Sequence, residues 1–128
     1  MRKIIPVFAV VLGLVGCQAK LNHSSTVEVE LADKQSKIVE AISKEQTIKV
    51  AGNASSGQFN LYVFLQKDQT AAENDIDRGS KNSPLILAQK VRTNQAEVTA
   101  LIPANQVAVV MLTSGDGKKA TVNLKITN

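Results

Sequence analysis

The feature that most constrains the fold is an alternation of apolar and polar residues with a period of two, which begins at Thr26 and recurs to the end of the chain. Ala120, Val122, Leu124 and Ile126 are separated by Thr121, Asn123 and Lys125. Successive side chains of a strand point to opposite faces, so this run is an amphipathic strand. Val27, Val29 and Leu31 alternate with Glu28 and Glu30, a half-buried strand with an acidic outer face. Ile48 and Val50 flank Lys49 in a shorter strand that is expected to end at the turn signal Gly52-Asn53. Residues 59–66 (FNLYVFLQ) differ: Phe59, Leu61, Val63 and Leu65 share one face, and Tyr62 and Phe64 the other. A strand apolar on both faces lies centrally or is covered on both sides. Residues 85–91, 96–102 and 107–113 supply three more strands. Residues 114–118, which contain Asp116-Gly117, read as a hairpin connection between the last two strands.

Residues 37–42 (KIVEAI) fit either one face of a helix or a β-branched strand, and the run is too short for length to decide. The count is therefore seven or eight strands in about 100 residues, which predicts an all-β fold, an antiparallel β-sandwich of immunoglobulin-like or transthyretin-like type. The paired cysteines and core Trp of a true immunoglobulin domain are missing, and there is no internal repeat. Beyond the first seventeen residues the aromatics are Phe59, Tyr62 and Phe64, all in one run. Phe59 is expected in the core. Tyr62 and Phe64 are the candidates for an exposed recognition patch. The stacking platforms common at sugar and nucleic-acid surfaces have no second aromatic to build them.

The N-terminus carries a different pattern. Arg2 and Lys3 precede an apolar run at 4–15, broken only by Pro6 and Gly13, and then come Gly16 and Cys17. Such a run is shorter than the roughly 20 residues that span a bilayer and has the flanks of a signal peptide. Leu14-Val15-Gly16-Cys17 resembles the lipobox of bacterial lipoproteins. The resemblance implies cleavage between Gly16 and Cys17, lipid on the Cys17 thiol and attachment to a membrane through that lipid, for which two or three acyl chains suffice. The alternative is an ordinary secretory signal cut near Ala19 that leaves a free thiol. Gln18 stands where the inner-membrane retention signal of enteric lipoproteins would place Asp, so the resemblance implies the periplasmic face of the outer membrane. The expected organisation is a signal at 1–16, a lipidated cysteine and tether at 17–25, and a sandwich domain at 26–128. The tether (QAKLNHSS) reaches about 26 Å when extended, and its His23 receives no role.

Removal of Arg2 and Lys3 lowers the formal charge from +4 to about +2, so no basic patch for nucleic acid is expected. One cysteine and one histidine exclude a disulfide framework and a closed zinc or iron-sulfur site, and no cofactor is expected. The connection at 67–83 (KDQTAAENDIDRGSKNS) is unusually long. It reads either as a solvated loop with a helical turn through 70–74 or as a partner-binding excursion, with Asp75, Asp77 and Arg78 as candidate contacts. Its acidic residues approach a calcium loop, but Gly79 stands at the third ligand position and no Glu follows. Gly115-Asp116-Gly117-Lys118 lacks the spacing of a phosphate loop. No Ser lies in a nucleophile elbow, and the single His sits in the tether. An enzyme is not expected.

Two further resemblances concern the class. Residues 60–66 followed by the excursion at 67–83 are similar to the layout of type VI secretion outer-membrane lipoproteins. Residues 87–93 (LAQKVRT), followed by a strand and a closing hairpin, are similar to the pilotin family of type III secretion. Both imply a non-enzymatic anchor or assembly factor for an envelope-spanning complex, with a periplasmic or outer-membrane protein as partner. The alternatives are a ligand- or inhibitor-binding module and a structural envelope lipoprotein without a dedicated partner.

Overall fold

The computed structural model describes residues 21–31, 33–80 and 82–128. The signal segment, Gly16 and Cys17 lie outside the described residues. Eight strands form: β1 (Asn22–Val29), β2 (Gln35–Val39), β3 (Gln46–Ser56), β4 (Phe59–Leu65), β5 (Ile86–Thr93), β6 (Gln95–Ile102), β7 (Ala108–Ser114) and β8 (Ala120–Thr127). A helix, α1 (Gln69–Asp77), follows β4 through a 3-10 turn at Gln66–Asp68.

The strands make two antiparallel four-stranded sheets, ordered β1-β8-β3-β6 and β2-β7-β4-β5. The inner faces meet in one core built from Val27 and Val29, Ile48 and Val50, the Phe59/Leu61/Val63/Leu65 face of β4 and the alternating apolar residues of β8. The eight-stranded antiparallel sandwich is the expected architecture, and the strand order specifies it further. The first strand pairs with the last and the second with the seventh. That nesting of two Greek keys is a jelly roll, whereas an immunoglobulin sandwich pairs its first two strands within one sheet.

Several local expectations change. The Asp116-Gly117 segment is no hairpin: it carries the chain from β7 in the second sheet to β8 in the first. Both strands already have two neighbours each, so long-range pairing overrides a turn-forming dipeptide. Gly52-Asn53 is no turn either. Both lie within β3, which continues to Ser56 before the chain reverses at Gly57-Gln58. Gly52 is there because a Cβ would come 2.9 Å from Cζ of Phe59, whose ring fills the space. Residues 22–25, expected in the tether, extend β1, and His23 pairs with Ile126 across the ladder. Leu31 lies beyond the end of β1 and is 64% exposed. Residues 37–42 are strand only as far as Val39.

Candidate interaction surfaces

The outer face of the second sheet is apolar. Tyr62 and Phe64 of β4 stand beside Val109 and Met111 of β7, and α1 lies across them with Ala72 fully buried and Ile76, Leu85 and Ile86 packed at the margin. Phe64 is fully buried and Tyr62 is 8% exposed. The expected recognition patch is therefore covered, because the excursion that follows β4 folds back as a helix rather than extending into solvent. Burial, with Asp77 as the second cause, raises the Tyr62 hydroxyl above its ordinary pKa, while a hydrogen bond with Thr113 opposes the rise.

The helix has clear local causes. Ala71 and Ala72 favour it, and Gln69 Nε2 donates to Glu73 Oε2 one turn on at 2.9 Å. It stops at Gly79, whose φ of +74° permits the left-handed exit. Gly79 N–H donates to Ile76 O and Ser80 N–H to Asp75 O, both at 3.0 Å, the two bonds of a Schellman motif.

Asp75, Asp77 and Arg78, the candidate partner contacts of this excursion, all have partners within the domain. Arg78 is paired with Asp75. The other carboxylate oxygen of Asp75 accepts from Ser83 Oγ at 2.6 Å. Lys34, in the connection between β1 and β2, reaches Asp77 at 3.0 Å and Glu73 at 3.3 Å and so ties the helix to the far side of its sheet. The hydrogen bond to Asp77 is the largest cause raising the Lys34 pKa. These charges fix α1 in place. Among the described residues no group of three or more His, Cys, Asp or Glu could hold a metal.

The outer face of the first sheet is polar and bare. Thr26, Asn123, Asn53 and Gln95 follow one another in a single row across β1, β8, β3 and β6. The next row is Ser24, Lys125, Ala51 and Glu97. Ala51 and Gly52 floor a shallow depression of about 400 Å³ walled by Asn53, Gln95, Glu97, Asn123 and Lys125. It offers carboxamides and two opposite charges, without an aromatic surface.

The four edge strands differ in how well they are guarded. Natural sheets protect edges by shortening them, bulging them or placing charge on them. Edge strand β2 has five residues. Edge strand β5 has two register shifts against β4 and carries Lys90 and Arg92. By contrast, β1 and β6 each keep eight residues in unbroken register with their single neighbour. Each carries one glutamate, but β1 begins with the polar run NHSST, whereas β6 (QAEVTALI) is the more apolar of the two. Leu101 of β6 is 53% exposed, and Leu87 and Val91 are exposed on the adjoining β5. This side of the sandwich holds three of the five exposed large apolar residues.

No protein-family model matches the chain, and no curated protein matches it significantly.

The edge of β6 was not legible as a site in the sequence. Its one local signal is Leu101 next to Ile102, since a strand with adjacent large apolar residues exposes one of them. Among the described residues no helix is long and apolar enough to cross a membrane.

Proposed function

We propose that the protein is a non-enzymatic adaptor of the bacterial envelope, held at the periplasmic face of the outer membrane by lipid on Cys17, whose sandwich captures an extended segment of a protein partner along β6. The partner belongs to an envelope-spanning complex, and secretion machines are the class whose lipoproteins the sequence resembles. The observation that carries this reading is the open β6 edge: eight residues in regular register with a neighbour on one side only, Gln95 alone having its N–H and C=O taken by Thr93 Oγ1, and exposed apolar side chains along the border. An added strand gains main-chain hydrogen bonds from such an edge and specificity from alternate side chains.

A lipid on Cys17 is compatible with docking at β6. Cys17 precedes the first residue of β1 by five positions, at most about 17 Å of chain. Across the first sheet, β6 lies three strand spacings from β1, about 14 Å. The tether therefore enters the sheet at the margin opposite β6.

The test is site-specific photo-crosslinking of the full-length protein in intact cells. A photoreactive residue at Thr99 of β6 should form an adduct with an envelope protein, and one at Ser36 of β2 should not. The combination Leu87→Lys with Leu101→Lys should remove the Thr99 adduct. Equal labelling from both positions, or none from Thr99, overturns the proposal.

A second reading rests on the depression over Ala51 and Gly52, which suits a small polar ligand. It requires that a soluble form starting at Leu21, ahead of the first strand, restore function without lipid.

A further inference from the structure

Among the described residues two non-glycine positions have a positive φ: Asn105, a residue type that tolerates it, and Arg92 at +50°. Arg92 lies in a bulge. Phe59 pairs with Thr93 and Leu61 with Lys90, so Asn60 alone faces both Val91 and Arg92. Left-handed backbone is ordinarily taken by Gly or Asn, because a larger side chain crowds it. The fold holds Arg92 there with a dedicated side chain. Asn60 Oδ1 accepts the Arg92 N–H at 2.7 Å, and Asn60 Nδ2 donates to Thr113 Oγ1 and to Ser114 O, each at 3.0 Å. The adjoining Gly115 N–H closes the cluster on Gln58 O at 2.9 Å.

The bonds that fix Arg92 act on its backbone, and its side chain has no ion pair or hydrogen bond among the described residues. Arg78, the other described arginine, is paired with Asp75; no carboxylate meets Arg92, which is exposed and lies three residues before β6 begins. A position that suits glycine is thus occupied by a guanidinium with no partner, at the head of the open edge. Backbone strain that the surroundings over-determine is a pointer to function.

We infer that Arg92 is a carboxylate-recognition residue of the β6 edge, and that the docked segment carries an acidic side chain toward its C-terminal end. The inference rests on β6 as the docking edge. A segment antiparallel to β6 has its C-terminal end at the Gln95 end of the strand; Thr93 Oγ1 caps the Gln95 N–H and C=O, so the last residue runs past the ladder toward Arg92, and a planar guanidinium binds a carboxylate through two parallel hydrogen bonds. Lys90, exposed like Arg92, adds a second positive charge to the same stretch of β5.

Full-length protein in detergent micelles is titrated with two fluorescent model strands, acetyl-Thr-Val-Thr-Val-Thr-Asp-amide and its Asn counterpart. The Asp peptide should bind about tenfold more tightly. Arg92→Gln should erase the preference while leaving the Asn peptide unaffected, and Arg92→Lys should restore part of it. Equal binding of the two peptides to the wild type, or binding of neither, overturns the inference. The crosslink from Thr99 judges the edge itself separately. Arg92→Gly should keep or raise the melting temperature, since it relieves the left-handed backbone; a clear fall would assign the arginine to the fold and overturn the proposal as well.

Discussion

Both sheets present an apolar inner face to the same core, yet their outer faces are opposites. That of the first sheet is a lattice of Thr, Asn, Lys and Glu open to solvent, whereas that of the second holds Tyr62, Phe64, Val109 and Met111 and is roofed by α1. A sandwich of about 100 residues has little volume between its sheets, and the second sheet adds a small satellite core by recruiting a helix over its back. The long excursion, the most conspicuous segment of the chain, forms that roof. The docking surface proposed above is an edge.

The largest test of this contrast is to truncate matched positions on the two outer faces. Phe64→Ala should cost roughly 3–5 kcal/mol, the range for removing a buried aromatic, whereas Asn123→Ala should stay within about 0.5 kcal/mol. Urea unfolding of both variants reads the difference, and similar values would erase the distinction between the faces. Next comes Gly52→Ala, on the inner side of the first sheet, where the new methyl meets the Phe59 ring. Overpacking there should cost about 1–3 kcal/mol, measurable as a lowered urea midpoint.

A smaller effect is expected from the tie that holds the roof. Lys34 pairs with Glu73 and Asp77 at partly exposed positions, so Lys34→Ala should cost less than about 1 kcal/mol. Hydrogen exchange should nevertheless speed up selectively in α1, and unchanged protection there would mean that the apolar contacts alone hold the helix. The smallest effect is on pH dependence at the start of β1. Burial, and then the charge of Lys37, lower the pKa of His23 below 6.5. The neutral ring is favoured in the folded state, so its contribution is present above pH 6.5 and is lost as the pH falls through the lower folded value. The melting temperature should drop on acidification through that window, and His23→Gln should remove this part of the drop.

How much of this was legible in the sequence varies by element. The two faces of β4 could be read residue by residue, because alternation within one strand is a local property and the same side chains that form the pattern fill the core. The termination of α1 was also present, as Arg78-Gly79, but a polar segment with few apolar positions gives little helical periodicity to detect, and its burial depends on Tyr62 and Phe64 needing cover. Lys34 lies 39 residues before Glu73, and no local pattern links them. Arg92 falls just past the strand read at 85–91 and carries no signal of its own, since its left-handed backbone is held by Asn60 from the neighbouring strand.

The sequence by itself determined that the chain forms short strands and which residues of β4 and β8 face inward, and it sets a lipobox-like segment ahead of them. Only the tertiary structure decided that the first strand joins the last, that Asp116-Gly117 crosses between sheets, that the aromatics lie under a helix and that β6 is left open. The physical reason is that side-chain alternation is set by the backbone within a few residues, whereas strand order is chosen among competing partners by the burial of whole faces, and that choice is made across the length of the chain.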